Sequence, residues 1–286
     1  MSRLAILFSW TMALALVVSA APQRIVSTAP SFTEILYALG LGDRVAGVTI
    51  YCRYPEEALG KPKVGTYEQP DVESVLALRP DLVITQQSPV SVAGQLRALR
   101  LNVLDVELDG LESIYRAIAQ VGQAAGVGAK GKALVSSLRG QLAAVRWRTD
   151  GMPRRRVMFV VGRTPGAISE LIVVGRSSYL NELFEIAGGD NIFKSSIAAY
   201  PKVSMEEVMG RNPEVIVDMG EMAQTVGVTD AQKKAVVTLW KQYPMLEAVK
   251  RGRVFAVASD IYVVPGPRVA EAAREFARMF YSETNP

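Results

Sequence analysis

Hydrophobic positions along this chain switch between two periods. Short apolar runs at 24–28 (RIVST), 45–49 (VAGVT), 82–85 (LVIT) and 102–106 (NVLDV) have the length and β-branched content of buried strands. Between them apolar residues step by three and four, which predicts helices over 31–39, 72–78, 92–99 and 111–125. Ser31 is the expected N-cap of the first helix, with Glu34 three positions on and Gly40 to Gly42 as its stop; Asp71 caps the second, and Pro80 ends it. A second series follows, with strands over 156–161, 215–218 and 254–258 and helices over 178–187, 205–210, 230–240 and 267–281. Strands alternating with helices at this spacing predict an α/β fold with mainly parallel sheets.

The second series echoes the first. ESVLALRPDLVI at 73–84 returns as EEVMGRNPEVIV at 206–217, 133 residues later. EILYALGLGDRV at 34–45 returns as NELFEIAGGDNI at 181–192. Two echoes in the same order predict two similar Rossmann-like lobes. Between them lies AKGKALVSSLRGQLAAVRWRT at 129–149, in which Leu134, Leu138, Leu142 and Val145 form one helical stripe. A helix of about 20 residues spans roughly 30 Å, so the lobes are expected to be joined by a rigid backbone helix, with a ligand cleft between them. The expected organisation is a leader at 1–20, an N-terminal lobe at 21–128, the connecting helix at 129–149 and a C-terminal lobe at 150–286.

Composition narrows the chemistry. Hydrophobic residues are 49% and charged residues 21% of 286, enough to build a sizeable core. Net charge is only +4, and the one basic run, Arg154-Arg155-Arg156, leads into an apolar strand, so nucleic acid is not an expected partner. Histidine is absent, which excludes Ser-His-Asp and Cys-His catalysis and imidazole metal sites. A single cysteine, Cys52, excludes an intrachain disulfide and a thiolate cluster. The chain also lacks a Gly-x-Ser-x-Gly elbow and a Gly-rich phosphate loop, which leaves an exported α/β enzyme as a remote alternative. At the N-terminus, Arg3, an apolar stretch from Leu4 to Val18 and Val18-Ser19-Ala20 form a secretory signal peptide pattern. The apolar stretch is short for a spanning helix of roughly 20 residues. Cleavage after Ala20 is expected, with no lipid anchor, since no cysteine lies near the cut.

Five stretches in order carry a family resemblance: RIVSTAPSFTEILYALGLGDRVAGVT, YCRYPEEALGKPKVGTYEQPDVESVLALRPDLVIT, GGDNIFKSS, YPKVSMEEVMGRNPEVIV and SDIYVVPGPRV. From about residue 24 to 281 the chain resembles the helical-backbone class of periplasmic solute-binding proteins, which serve ATP-driven importers of cobalamin, iron-siderophores and haem. The cobalamin branch is nearest. The resemblance implies a non-enzymatic capture protein of the periplasm. Its ligand would be a metal-containing macrocycle or chelate, its partner an ABC importer permease dimer with its ATPases. A monomer with no resident cofactor and no metal site of its own is expected.

Ligands of open α/β sheets sit beyond the carboxyl ends of the strands. That rule selects Tyr51, Tyr67, Gln86, Tyr200, Asp260 and Tyr262 as ligand-binding candidates. Tyrosines offer flat apolar faces with hydroxyl donors, suited to a planar macrocycle. Cobalamin binders, by resemblance, place tryptophan where this chain has Tyr67, Gln86 and Tyr200; Gln86 does not keep the stacking role. Cys52 beside Tyr51 reads as a small buried residue, with an axial metal ligand as the alternative. Glu73 and Glu206 each stand two residues after a cap, Asp71 or Ser204. Favourable interaction with the helix dipole, about 0.3–1 kcal/mol each, explains an acid at each place but not the matched placement. The resemblance implies that they dock onto arginines of the permease. Glu207 closes a capping box with Ser204.

Overall fold

The computed structural model describes residues 21–88, 91–220 and 227–282; the leader at 1–20 falls outside them. The N-terminal lobe runs β1 (Ile25–Ser27), α1 (Pro30–Ala38), β2 (Val45–Val48), α2 (Val72–Ala77), β3 (Leu82–Gln86), α3 (Ala93–Ala98), β4 (Val103–Val106) and α4 (Leu111–Ala124). Its four strands pair in the order β2-β1-β3-β4, all parallel. Ile25, Val26, Val83 and Ile84 are fully buried, as expected of strands covered on both faces.

Helix α5 (Gly128–Thr149) follows. It packs closely on α4 because two glycines meet where the helices touch. A Cβ on Gly122 would lie 3.1 Å from the Gly131 Cα, and one on Gly131 would lie 3.1 Å from the Ile118 carbonyl oxygen. Leu138, Leu142 and Val145 of the predicted stripe are buried, and Leu134 packs beside them.

The C-terminal lobe contains β5 (Arg155–Gly162), β6 (Leu171–Val173), α6 (Tyr179–Ile186), β7 (Gly189–Asn191), β8 (Lys202–Val203), α7 (Met205–Arg211), β9 (Val215–Asp218), α8 (Asp230–Trp240), α9 (Glu247–Lys250), β10 (Val254–Ala256) and α10 (Val269–Tyr281). The strand order is β10-β9-β5-β6-β8, with β7 pairing the first half of β5. β10, β9, β5 and β7 are parallel, whereas β6 runs antiparallel to both its neighbours, β5 and β8. Strands β6, β7 and β8 escape the hydrophobic pattern because each is two or three residues long and too short to display a period.

The two sheets stay separate, yet one hydrophobic cluster runs through both lobes. It extends from Ile25, Phe32 and Ile35 through Ile118 and Leu142 to Phe159, Phe184 and Phe276. Polar ties cross the same boundary. The Leu111 N–H donates to Glu182 Oε1 at 2.9 Å, and Arg274 ties the C-terminal lobe to helix α5 by donating to Gln141 Oε1 at 3.1 Å. Among the described residues no helix is long and apolar enough to cross a membrane.

The start of α1 departs from expectation. Pro30 opens the helix, Ala29 is the N-cap without a side-chain bond, and Ser31 lies inside the first turn. Glu34 therefore closes no capping box. Its carboxylate turns to Arg268 of the other lobe, accepting from Nε at 2.9 Å and from the second guanidinium nitrogen.

Candidate functional site

The carboxyl ends of β1, β2 and β3 carry the N-terminal wall of the cleft. Tyr51 follows β2 after a short turn, and its ring meets that of Tyr67 edge-on, with centroids 5.8 Å apart. Both are exposed. Such a pair is held by the positive edge of one ring on the negative face of the other, and it leaves aromatic surface free. The Tyr67 phenol is pushed up to about 12, first by its hydrogen bond with Glu68, then by burial and the Glu68 charge. It stays a neutral donor throughout the physiological range. Beside it a cavity of about 160 Å³ is lined by Thr28, Tyr67, Glu68, Thr85, Gln86 and Ser91, among others. Gln86 ends β3 half-buried on this wall. Thr85 and Ser91 both donate to Asp105 Oδ1, at 2.7 and 3.3 Å, which fixes the floor beneath it.

In the C-terminal lobe, Tyr200 is exposed, but its hydroxyl is tucked against Ser178, whose Oγ donates to it at 3.3 Å. Burial of that oxygen raises the phenol above its ordinary value. Asp260 opens a single 3-10 turn, Asp260–Tyr262, and stays half-buried near Glu34 and Arg268.

Tyr262 is a correction. It is 5% exposed and belongs to the core of its lobe, edge-on to Phe159 at 5.9 Å and tilted against Phe276 at 5.3 Å. A 3-10 turn rotates its residues by a third of a circle each, so Asp260 and Tyr262 point different ways. Burial raises the Tyr262 phenol far above its ordinary value. Cys52 is likewise a core residue. Its buried sulfur sits 3.1 Å from the Thr33 hydroxyl and 3.2 Å from that of Thr49, and burial pushes the thiol up. A metal in the cleft would not reach it.

The hydrophobic pattern did not reveal a buried ionic clasp at the root of the cleft. Glu34 is 4% exposed and pairs with Arg268, whose guanidinium also stacks on the Tyr54 ring at 4.0 Å. Burial raises the Glu34 carboxyl to about 7; Arg268 pulls it down by less, and the charges of Asp260 and Glu271 push it up. The partners are 234 residues apart, so spacing gives no hint that they meet. Gly266 closes against Ser31 and Glu34, which brings the loop before α10 over the start of α1.

Glu73 and Glu206 occupy equivalent exposed positions on α2 and α7. Asp71 accepts from the Glu73 N–H at 3.1 Å, and Ser204 accepts from the Glu207 N–H at 3.2 Å. Glu207 returns a bond to the Ser204 N–H at 3.0 Å and completes the predicted capping box. The Glu206 carboxyl lies below its ordinary value, chiefly through its own backbone N–H and then Ser204. The equivalence runs further than the opening echo. The same offset of 133 residues relates Tyr67 to Tyr200, and the buried Val75 to the buried Val208. It also relates Arg79 to Asn212, both in the left-handed region at φ 46° and 43° just before a proline. Each lobe therefore presents one segment with an exposed tyrosine, an exposed glutamate and a buried strand in the same order.

A hollow of about 640 Å³ lies elsewhere, at the end of α5 against Arg154, Glu185 and Asp190. It opens on the amino-terminal edge of the sheet, away from the strand ends that build the cleft.

Residues 25–261 match the family described as periplasmic binding protein. The chain belongs to that family. It is 30% identical over 271 residues to the uncharacterized ABC transporter substrate-binding lipoprotein YvrC of Bacillus subtilis (strain 168), covering 92% of this chain and 81% of the relative. Among solved structures it is similar to the periplasmic vitamin B12 binding protein BtuF of Vibrio cholerae. That likeness has a TM-score of 0.75 and 27% identity, and it covers 91% of this chain and 97% of BtuF. It is equally similar to the periplasmic haem-binding protein RhuT of Roseiflexus sp. RS-1, with a TM-score of 0.75 and 27% identity over 91% of this chain and 98% of that one. As a periplasmic binding protein, the chain is an exported carrier of a small-molecule ligand that works with an ABC permease. The two-lobe α/β architecture expected from the sequence is the fold of these neighbours.

Proposed function

We propose that this periplasmic binding protein captures a corrinoid of the cobalamin type between its lobes and delivers it to the permease dimer of an ABC importer. One observation carries the reading: a free tyrosine pair, Tyr51 and Tyr67, stands beside a polar cavity on one wall, with Tyr200 on the other. Flat apolar faces suit the rim and plane of a macrocycle, and the half-buried amide of Gln86 suits amide side chains. Asp260 adds an acceptor at the root of the cleft. The cobalt arrives with the ligand as cargo, the protein holds no resident cofactor, and it performs no catalysis.

Haem or an iron-siderophore is the second reading. It is favoured by the loss of an aromatic ring at Gln86 and by the equal likeness to RhuT. Spectral titration of the purified protein with cyanocobalamin, haemin and ferric siderophores decides between them. Cyanocobalamin bound at micromolar concentration or tighter supports the first reading; haemin bound in its place supports the second. A hydrolytic activity with no binding of any of the three overturns both.

Glu73 and Glu206 are the docking anchors of the two lobes, offered to two like permease subunits. The mature protein is a monomer that begins at Ala21 after the leader is removed, and it carries no lipid. Intact mass of the exported protein tests the last two points together.

A further inference from the structure

The segments that carry Glu73 and Glu206 share a second exposed feature. In α2 and α7 the valine two positions after the glutamate, Val75 or Val208, is 0% exposed and anchors the helix. The next residue in each, Leu76 or Met209, turns outward and is 37% or 38% exposed. It stands three residues after the glutamate, on the same face of the helix. The residue after it is small and exposed in both, Ala77 or Gly210, so no bulky side chain follows the apolar one. One exposed leucine would mean nothing, because single apolar residues are common on protein surfaces. Here the cap, the acid, the buried valine, the outward apolar residue and the left-handed residue before proline all recur at one offset in two lobes of low identity.

We infer that Leu76 and Met209 are the apolar halves of two equivalent docking contacts, each completed by Glu73 or Glu206. The inference rests on the docking reading above and defines the chemistry of the partner. Each of two like subunits must present a basic side chain to the glutamate and, about one helical turn away, an apolar recess to the leucine or methionine. The carboxylate supplies salt-sensitive attraction and orientation; the apolar contact supplies the part of the affinity that salt does not screen. Methionine in one lobe and leucine in the other fill similar volumes, so one recess accommodates both.

The test is site-specific photocrosslinking in cells that export the full chain. A benzophenone amino acid is placed in turn at 73, 76, 206 and 209, and at the exposed Trp147 as control. Crosslinks from both 76 and 209 to one and the same polytopic membrane protein, with none from 147, are the expected result. Crosslinks from 73 and 206 without 76 and 209 overturn the apolar contacts and leave the docking anchors standing. Silence at all four positions overturns both readings, and an equal yield from 147 overturns the specificity of the face. With that membrane protein purified in nanodiscs, Leu76→Ser with Met209→Ser is expected to weaken docking about tenfold or more at high salt. Its melting curve should be unchanged. An unchanged affinity in the folded double variant would overturn the inference.

Discussion

Replacing Glu34 by glutamine should flatten one component of the pH dependence of stability. Glu34 is almost fully enclosed, and its carboxyl is raised from 4.5 to about 7 because burial outweighs the opposing pull of Arg268. Asp260 and Glu271 add to the rise. The folded chain thus holds this proton more tightly than the unfolded chain. The resulting stabilisation is complete below pH 4.5 and is lost as pH climbs through 7. At 1.36 kcal/mol per pKa unit the full change is about 3 kcal/mol. Glutamine mimics the protonated form at every pH. The unfolding free energy of Glu34→Gln minus that of wild type should therefore rise by about 3 kcal/mol between pH 4.5 and 8. Urea denaturation of both proteins across that range measures the difference, in which the titration of distant groups cancels. A difference that stays level, or that falls as pH rises, would refute the reasoning. The second outcome would mean that the guanidinium prevails over burial and that the clasp is a net stabilising ion pair.

Three further outcomes are expected. Glu73→Ala combined with Glu206→Ala should leave cyanocobalamin affinity intact, by the same spectral titration, and abolish its uptake by cells; lost affinity would argue against docking anchors. Phe276→Ala should cost about 3–5 kcal/mol in denaturant titration, because its ring contacts Phe159, Phe184, Phe280 and Tyr262 and no solvent reaches it. X-ray scattering curves with and without ligand should superimpose closely, because helix α5, the shared apolar cluster and the Glu34–Arg268 clasp brace the lobes. A large compaction on ligand addition would contradict that bracing.

The local helix chemistry was legible before the structure. The Asp71 and Ser204 caps, the Glu207 capping box and the matched glutamates follow from local chemistry within four or five residues, and each is found as expected. Tyr51, Tyr67 and Asp260 lie in loops that follow strands, where a strand-to-loop rule places them, whereas Gln86 is the last residue of β3 and Tyr200 stands just before β8. Tyr262 fails the same rule because two residues of 3-10 helix, about two-thirds of a turn, separate the half-buried Asp260 from a ring that faces the core. The clasp and the outward pair Leu76 and Met209 were not legible. A charge partner 234 residues away leaves no periodic trace, and an exposed apolar residue in a short helix looks like a buried one until the packing is known.

The order of the longer elements, the two-lobe repeat, the long stiff helix and the absence of histidine chemistry were determined by the sequence alone. They depend on periodicity, capping and composition, which act over a few residues at a time. Only the tertiary structure decided which side of each helix is covered, that one apolar core runs through two separate sheets, and that Glu34 meets Arg268 beneath Tyr54. Burial and the electrostatics of buried charge depend on what packs from the distant parts of the chain, and no local pattern encodes that.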